Sequence, residues 1–254
     1  EPGGTYVGHL FLDPIQATFR GGRTEPLHSW FPLLVGYSPK FVEQIIANFA
    51  PKAHRILDPF SGTGTTPLTA ASLGREALYC ELNPLLQFLT KVKSEVLNLK
   101  DPVRLKVSQK LRATIPGLEY SIANSLPDQG LRLTYTSVFV RSQFFDEHVL
   151  EAILRTRAYL DSVACTDPFL AELLTVAALA TLVPASRLTR AGDLRFKTPE
   201  ESEKEHVDFM TYLRERIAQI AEDLAHITTL DTKPILVCED ARNLSVLPYQ
   251  GIDT

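Results

Sequence analysis

Between Arg55 and Glu81 the chain carries residues suited to holding a nucleoside. The stretch Asp58-Pro59-Phe60-Ser61-Gly62-Thr63-Gly64-Thr65-Thr66 has two glycines one residue apart. Such spacing lets a ligand approach the backbone where a side chain would block it. A dinucleotide site calls for a third glycine where Pro67 stands, and a phosphate-gripping loop calls for Gly-Lys-Ser/Thr, which is absent. Both phosphate readings lose support. Glu81 lies where an acidic residue about 20 positions further on accepts hydrogen bonds from ribose hydroxyls. A nucleoside without a pyrophosphate fits this set, and S-adenosylmethionine is such a ligand.

These residues need a strand, a loop, a helix and a second strand to position them. Arg55-Ile56-Leu57 predicts a short apolar strand, residues 66–73 a helix ended by Gly74, and Ala77-Leu78-Tyr79-Cys80 the second strand. A unit of this kind implies a parallel sheet with a right-handed crossover. Upstream, Ser38-Pro39 reads as an N-cap with proline in the first turn. Phe41, Val42, Ile45, Ile46 and Phe49 follow at helical spacing up to a stop before Pro51. Residues 1–27 read as an irregular arm with one short strand, marked by Gly3-Gly4 and Gly21-Gly22.

The middle of the chain predicts helices over residues 85–96, 103–113 and 145–163, with a stretch at 115–136 broken by Pro116, Gly117, Pro127 and Gly130. Asp167-Pro168 caps a helix whose residues 169–183 are apolar nearly all round, so it should be buried. Residues 184–199 read as a loop holding Arg187, Arg190, Arg195 and Lys197 against the lone Asp193. Val207, Met210, Leu213, Ile217, Ile220 and Leu224 then mark a long amphipathic helix. The sheet pattern returns at Ile235-Leu236-Val237-Cys238, which ends at Glu239-Asp240.

Residues 58–66 resemble the S-adenosylmethionine-binding motif of the amino-group DNA methyltransferases, which modify cytosine N4 or adenine N6. Glu81-Leu82-Asn83-Pro84 is similar to the acidic motif closing the second strand of that family, and Glu239-Asp240-Ala241-Arg242 to the motif closing the third. His28-Ser29-Trp30-Phe31-Pro32 and Tyr37-Ser38-Pro39-Lys40-Phe41-Val42 resemble the segment that precedes the loop. The resemblance covers residues 28–98 and 232–254. It implies an α/β, Rossmann-like methyltransferase fold with an incomplete parallel sheet and a mostly helical insertion at 99–231. It also implies that Phe60, Gly62, Gly64 and Thr65 line the cofactor, that Asp58 orients the loop and the methionine ammonium, that Glu81 holds the ribose and that Asp240 holds the adenine amino group.

In that family a fourth strand ends in Asp/Asn/Ser-Pro-Pro-aromatic, whose acceptors hold the target amino group while the ring stacks on the flipped base. No Pro-Pro pair occurs in the 254 residues, and Gly251-Ile252-Asp253-Thr254 looks like the opening of that strand. The catalytic motif is therefore expected after Thr254. The chain alone is expected to bind the cofactor without transferring a methyl group, a second polypeptide or a further C-terminal part completing the sheet. The resemblance implies methylation of a base in DNA, with cytosine N4 favoured slightly over adenine N6. An RNA methyltransferase acting on a guanine amino group, and a non-catalytic cofactor- or DNA-binding subunit, remain open alternatives.

The net charge of −4 argues against coating nucleic acid through bulk positive charge and leaves room for a local basic groove. Arg187, Arg190, Arg195 and Lys197 are the DNA-binding candidates, with Arg20 and Arg23 weaker ones. Their bland alternative is a solvated loop balanced by Glu200, Glu201, Glu203 and Glu205. Cys80, Cys165 and Cys238 lie too far apart for a zinc pattern and read as reduced, buried thiols of a cytoplasmic protein without metal or membrane span.

Overall fold

The computed structural model describes residues 15–33, 36–191, 193–204 and 208–246. The short strand expected near the N-terminus and the strand opening at Gly251 lie outside these residues. Helix α1 (Pro39–Phe49) starts as expected, with the Ser38 hydroxyl accepting from the Phe41 amide at 3.1 Å. Strand β1 (Arg55–Asp58), helix α2 (Thr65–Ser72) and strand β2 (Glu76–Cys80) follow. β1 and β2 pair in parallel, Ile56 opposite Ala77 and Asp58 opposite Tyr79. α1 and α2 close over the sheet through Val42, Ile46, Ala70, Ala71 and Ala77, small enough at the alanines for the helices to sit close.

Helices α3 (Pro84–Leu97), α4 (Asp101–Thr114), α5 (Leu118–Ala123), α6 (Gln129–Val138), α7 (Glu147–Ala164) and α8 (Pro168–Leu182) run in succession. Gly130 does not break the chain as expected: it lies in the first turn of α6, which Asp128 caps by accepting from the Leu131 amide at 2.9 Å. α8 is the buried centre of the helical part, with Leu173, Leu174, Val176 and Ala177 almost wholly covered. α7, α4 and the later helix α10 (Phe209–His226) surround it.

Residues 184–199 form more than the expected loop. Strands β3 (Leu188–Ala191) and β4 (Asp193–Phe196) pair in an antiparallel hairpin, Leu188 opposite Phe196 and Arg190 opposite Leu194. The Phe196 ring stacks on Phe144 at 5.7 Å, which anchors the hairpin to the segment before α7. Helix α9 (Pro199–Lys204) leads towards α10. Arg104 of α4 is 5% exposed; its Nε donates to the Leu224 carbonyl at 2.8 Å and its Nη1 to Thr229 Oγ1 at 3.0 Å, closing the last turn of α10. Ser108 donates to the Ala221 carbonyl beside it.

Strand β5 (Ile235–Cys238) then returns to the sheet and pairs in parallel with β2, giving the order β1-β2-β5. The fold is thus α/β, a small parallel sheet in a mostly helical chain. Of the cysteines, Cys80 is buried as expected, with its sulfur 2.8 Å from that of the half-buried Cys238, whereas Cys165 at the end of α7 is exposed. No described helix is long and apolar enough to cross a membrane.

Candidate functional site

Because β1, β2 and β5 are parallel, their carboxyl ends lie along one edge of the sheet, which is where ligands bind in open α/β folds. Three separate stretches of sequence meet there: the glycine loop after β1, Glu81 after β2 and Glu239-Asp240 after β5. The loop is tied to the strand ends by hydrogen bonds. Ser61 donates its amide to the Cys80 carbonyl at 3.1 Å, and Gly62 donates its amide to Glu81 Oε2 at 2.8 Å. The other carboxylate oxygen of Glu81 accepts from the Asn83 amide at 2.8 Å. Glu81 is therefore fixed in direction and half-buried, with lone pairs still available to hydroxyl donors.

The two glycines are required by the backbone. Gly62 has φ +56° and Gly64 φ +85°, in the left-handed region that disfavours side chains. A β-carbon on Gly64 would also come within 2.8 Å of the Thr90 side chain, so α3 packs against the loop only if this residue is glycine. Thr65 opens α2, directing the amino end of that helix at the same edge. Asp58 Oδ1 accepts from the Phe60 amide at 3.0 Å, holding the loop's first turn. Phe60 itself is 80% exposed, a large apolar ring at the sheet edge with nothing over it among the described residues.

Two partners of the loop were given no role of their own from the sequence, although Tyr37 opens the segment that resembles the one preceding the loop. The Tyr37 hydroxyl lies 2.6 Å from Thr66 Oγ1 and donates to Asp58 Oδ2 at 3.4 Å, joining the segment before α1 to both ends of the loop; burial raises its pKa. Lys93 of α3 is wholly buried beneath the loop and donates from Nζ to the Thr63 carbonyl at 3.1 Å. Burial lowers its pKa to about 7. In sequence it reads as one more lysine on an amphipathic helix. Near it, His28 is held neutral, its pKa lowered to about 3 by burial and by the Lys93 charge. Trp30 is buried and donates to Asp223 Oδ2 at 2.7 Å, fastening the segment before α1 to α10.

Asp240 sits half-buried after β5 with its carboxylate gripped by its neighbour Arg242, which donates to both oxygens; this ion pair lowers the Asp240 pKa to about 2. An amino group recognised by Asp240 would share that carboxylate with Arg242. The basic candidates divide. Arg195 donates to both oxygens of Glu201, at 2.6 and 2.7 Å, and Arg187 faces Asp146 at 3.5 Å. Arg190 and Lys197 instead line a cavity between the hairpin and α10, together with Arg23 and Arg216. The described residues hold no cluster suited to a metal ion.

Part of this region matches a family of known proteins. Residues 36–89 fit a family described as DNA methylase, of the N6/N4 methyltransferase type. The type II methyltransferase M.BsoBI of Geobacillus stearothermophilus is 32% identical over 78 residues, which make up 30% of this chain and 15% of that protein. The type II methyltransferase M.AvaI of Nostoc sp. is 31% identical over 86 residues, 34% of this chain and 18% of that protein. The chain thus matches less than a fifth of the length of these relatives. No solved structure matches it. Over residues 36–89, the part that carries α1, the glycine loop and the acidic turn after β2, the chain is similar to the amino-group DNA methyltransferase family.

Proposed function

We propose that this chain carries the cofactor-binding part of a DNA methyltransferase that uses S-adenosylmethionine to methylate an exocyclic amino group of a flipped base, cytosine N4 in preference to adenine N6. The observation that carries the reading is the glycine loop with two left-handed glycines, bonded through the Gly62 amide to Glu81 at the carboxyl edge of a parallel sheet. The residues present suit this cofactor. Gly62 and Gly64 leave backbone bare, the exposed Phe60 ring offers an apolar cover, and Glu81 offers carboxylate acceptors to a ribose. No lysine stands in the loop to grip a pyrophosphate.

When bound, S-adenosylmethionine supplies a methyl group on a sulfonium. The chain's own part is to bind and aim it: Glu81 orients the ribose, Asp58 holds the loop and accepts from the ammonium, and Asp240 accepts from the adenine amino group. Residues 28–98 and 232–254 form the cofactor-binding core in this reading, and 99–231 an insertion beside the DNA. The test is calorimetric titration with S-adenosylmethionine of the wild-type chain and of Glu81→Ala. Removal of a charged acceptor shared by two hydroxyls is expected to weaken binding about tenfold or more. Equal affinities, or no binding by the wild type in the presence of its folded spectrum, would overturn the assignment.

A further inference from the structure

Between the hairpin, α10 and the segment before α1 lies a cavity of about 560 Å³ whose walls carry four cationic side chains, Arg23, Arg190, Lys197 and Arg216, and, among the described residues, no carboxylate. These come from four separate places: the turn before α1, β3, the residue after β4, and the middle of α10. Clustering like charges around a partly enclosed space is unfavourable unless an anion offsets it. Arg190 feels the cost directly. It is half-buried, and burial together with the charges of Arg23 and Arg216 lowers the pKa of its guanidinium.

Arg216 is held ready. It donates to the Tyr212 hydroxyl and to Gln219 Oε1, and its guanidinium carbon lies 4.6 Å from the centre of the Tyr212 ring. These partners are neutral, so they orient the group without cancelling its charge. The volume accommodates a phosphate with its attached sugar, within the range of ordinary ligand pockets. The cavity also adjoins the glycine loop through one short strap. Ser29 and Pro32 line the cavity, Ser29 accepts from Gln219 Nε2 at 2.9 Å, and Leu33 packs against the face of Gly62.

We infer that this cavity is a phosphate site that takes a phosphodiester of the DNA strand being methylated, with Arg190 and Arg216 as its principal donors and Arg23 and Lys197 at its mouth. The existence of the site follows from the charges and the cavity; its assignment to DNA rests on the methyltransferase reading. The site separates these arginines from Arg195 and Arg187, whose charges are already paired on Glu201 and Asp146.

The test measures binding of a labelled DNA duplex over a range of salt concentrations for the wild type, Arg190→Gln, Arg216→Gln and, as control, Arg195→Gln. Titrations with inorganic pyrophosphate and with S-adenosylmethionine run beside them. Each of the first two variants is expected to weaken DNA binding about tenfold for any sequence and to lower the salt slope by about 1, with cofactor affinity unchanged. Arg195→Gln is expected to behave as the wild type. Because removing one of several like charges relieves repulsion, Arg190→Gln should keep or raise the melting temperature, which a merely structural arginine would not. Unchanged DNA binding in Arg190→Gln and Arg216→Gln overturns the site while leaving the cofactor reading intact. Pyrophosphate binding that these variants abolish, with no DNA binding by the wild type, overturns the DNA assignment and points to a free phosphate ligand.

Discussion

Lys93 shows what a single residue under the glycine loop costs the fold. A free lysine titrates near 10.5, and burial lowers this one to about 7. Between those values the unfolded chain keeps a proton that the folded chain has released. Stability therefore rises as pH climbs from about 7 to about 10.5 and is lost again on the way down. The slope contributed by one such group is at most about 1.4 kcal/mol per pH unit. Lys93→Met is expected to flatten this limb in urea melts taken from pH 7 to pH 10; an unchanged slope would show that Lys93 is not the source. His28 acts on the acid side, since its folded value of about 3 against 6.5 means that stability falls as pH drops through that range. The loop residues themselves were legible in the sequence because each answers a local need: glycine for positive φ, aspartate for the turn, glutamate at the strand end. Lys93 was not, because a lysine at a helical position carries no local sign of what will cover it.

At the level of elements, most boundaries were readable. Ser38-Pro39 and Asp167-Pro168 predict helix starts, and both aspartate and serine hydroxyl or carboxylate oxygens accept the expected amide bonds. The hairpin β3-β4 was missed although Leu188, Arg190, Leu194 and Phe196 alternate in the sequence on either side of a Gly-Asp pair. Strands of four residues give a weak period, and the charged side chains between them read as solvated loop. The joint between α4 and α10 was also hidden, since Arg104 is one of several charges on a polar helix and nothing local marks it as buried. Its buried guanidinium holds Leu224 and Thr229 at the end of α10. Arg104→Met is expected to cost about 3 kcal/mol in chemical denaturation, because it leaves a helix-end carbonyl without its donor in a covered place. A loss under about 1 kcal/mol would mean that the apolar contacts of Leu111, Ile217 and Ile220 hold this joint by themselves.

At the scale of the whole molecule, the sheet brings together an amide-bound glutamate, a glycine loop and an aspartate from stretches far apart in the chain. Binding and group transfer are separable demands on it. The 254 residues contain no adjacent prolines, hence no Pro-Pro-aromatic acceptor for an amino group. The chain is therefore expected to bind S-adenosylmethionine yet to transfer no labelled methyl to unmethylated DNA; incorporation above a Glu81→Ala control would refute this. By itself the sequence determined the strand, loop, helix and strand unit, the two glycines and the acidic residues at the strand ends. Those depend on backbone conformation and on neighbours a few residues away. Only the tertiary structure decided that β5 pairs with β2, that Lys93 lies under the loop, and that Arg190 meets Arg216 while Arg195 pairs with Glu201. Which charges are paired and which are left facing a cavity depends on the packing of helices and hairpin far apart in sequence, and no local pattern encodes that choice.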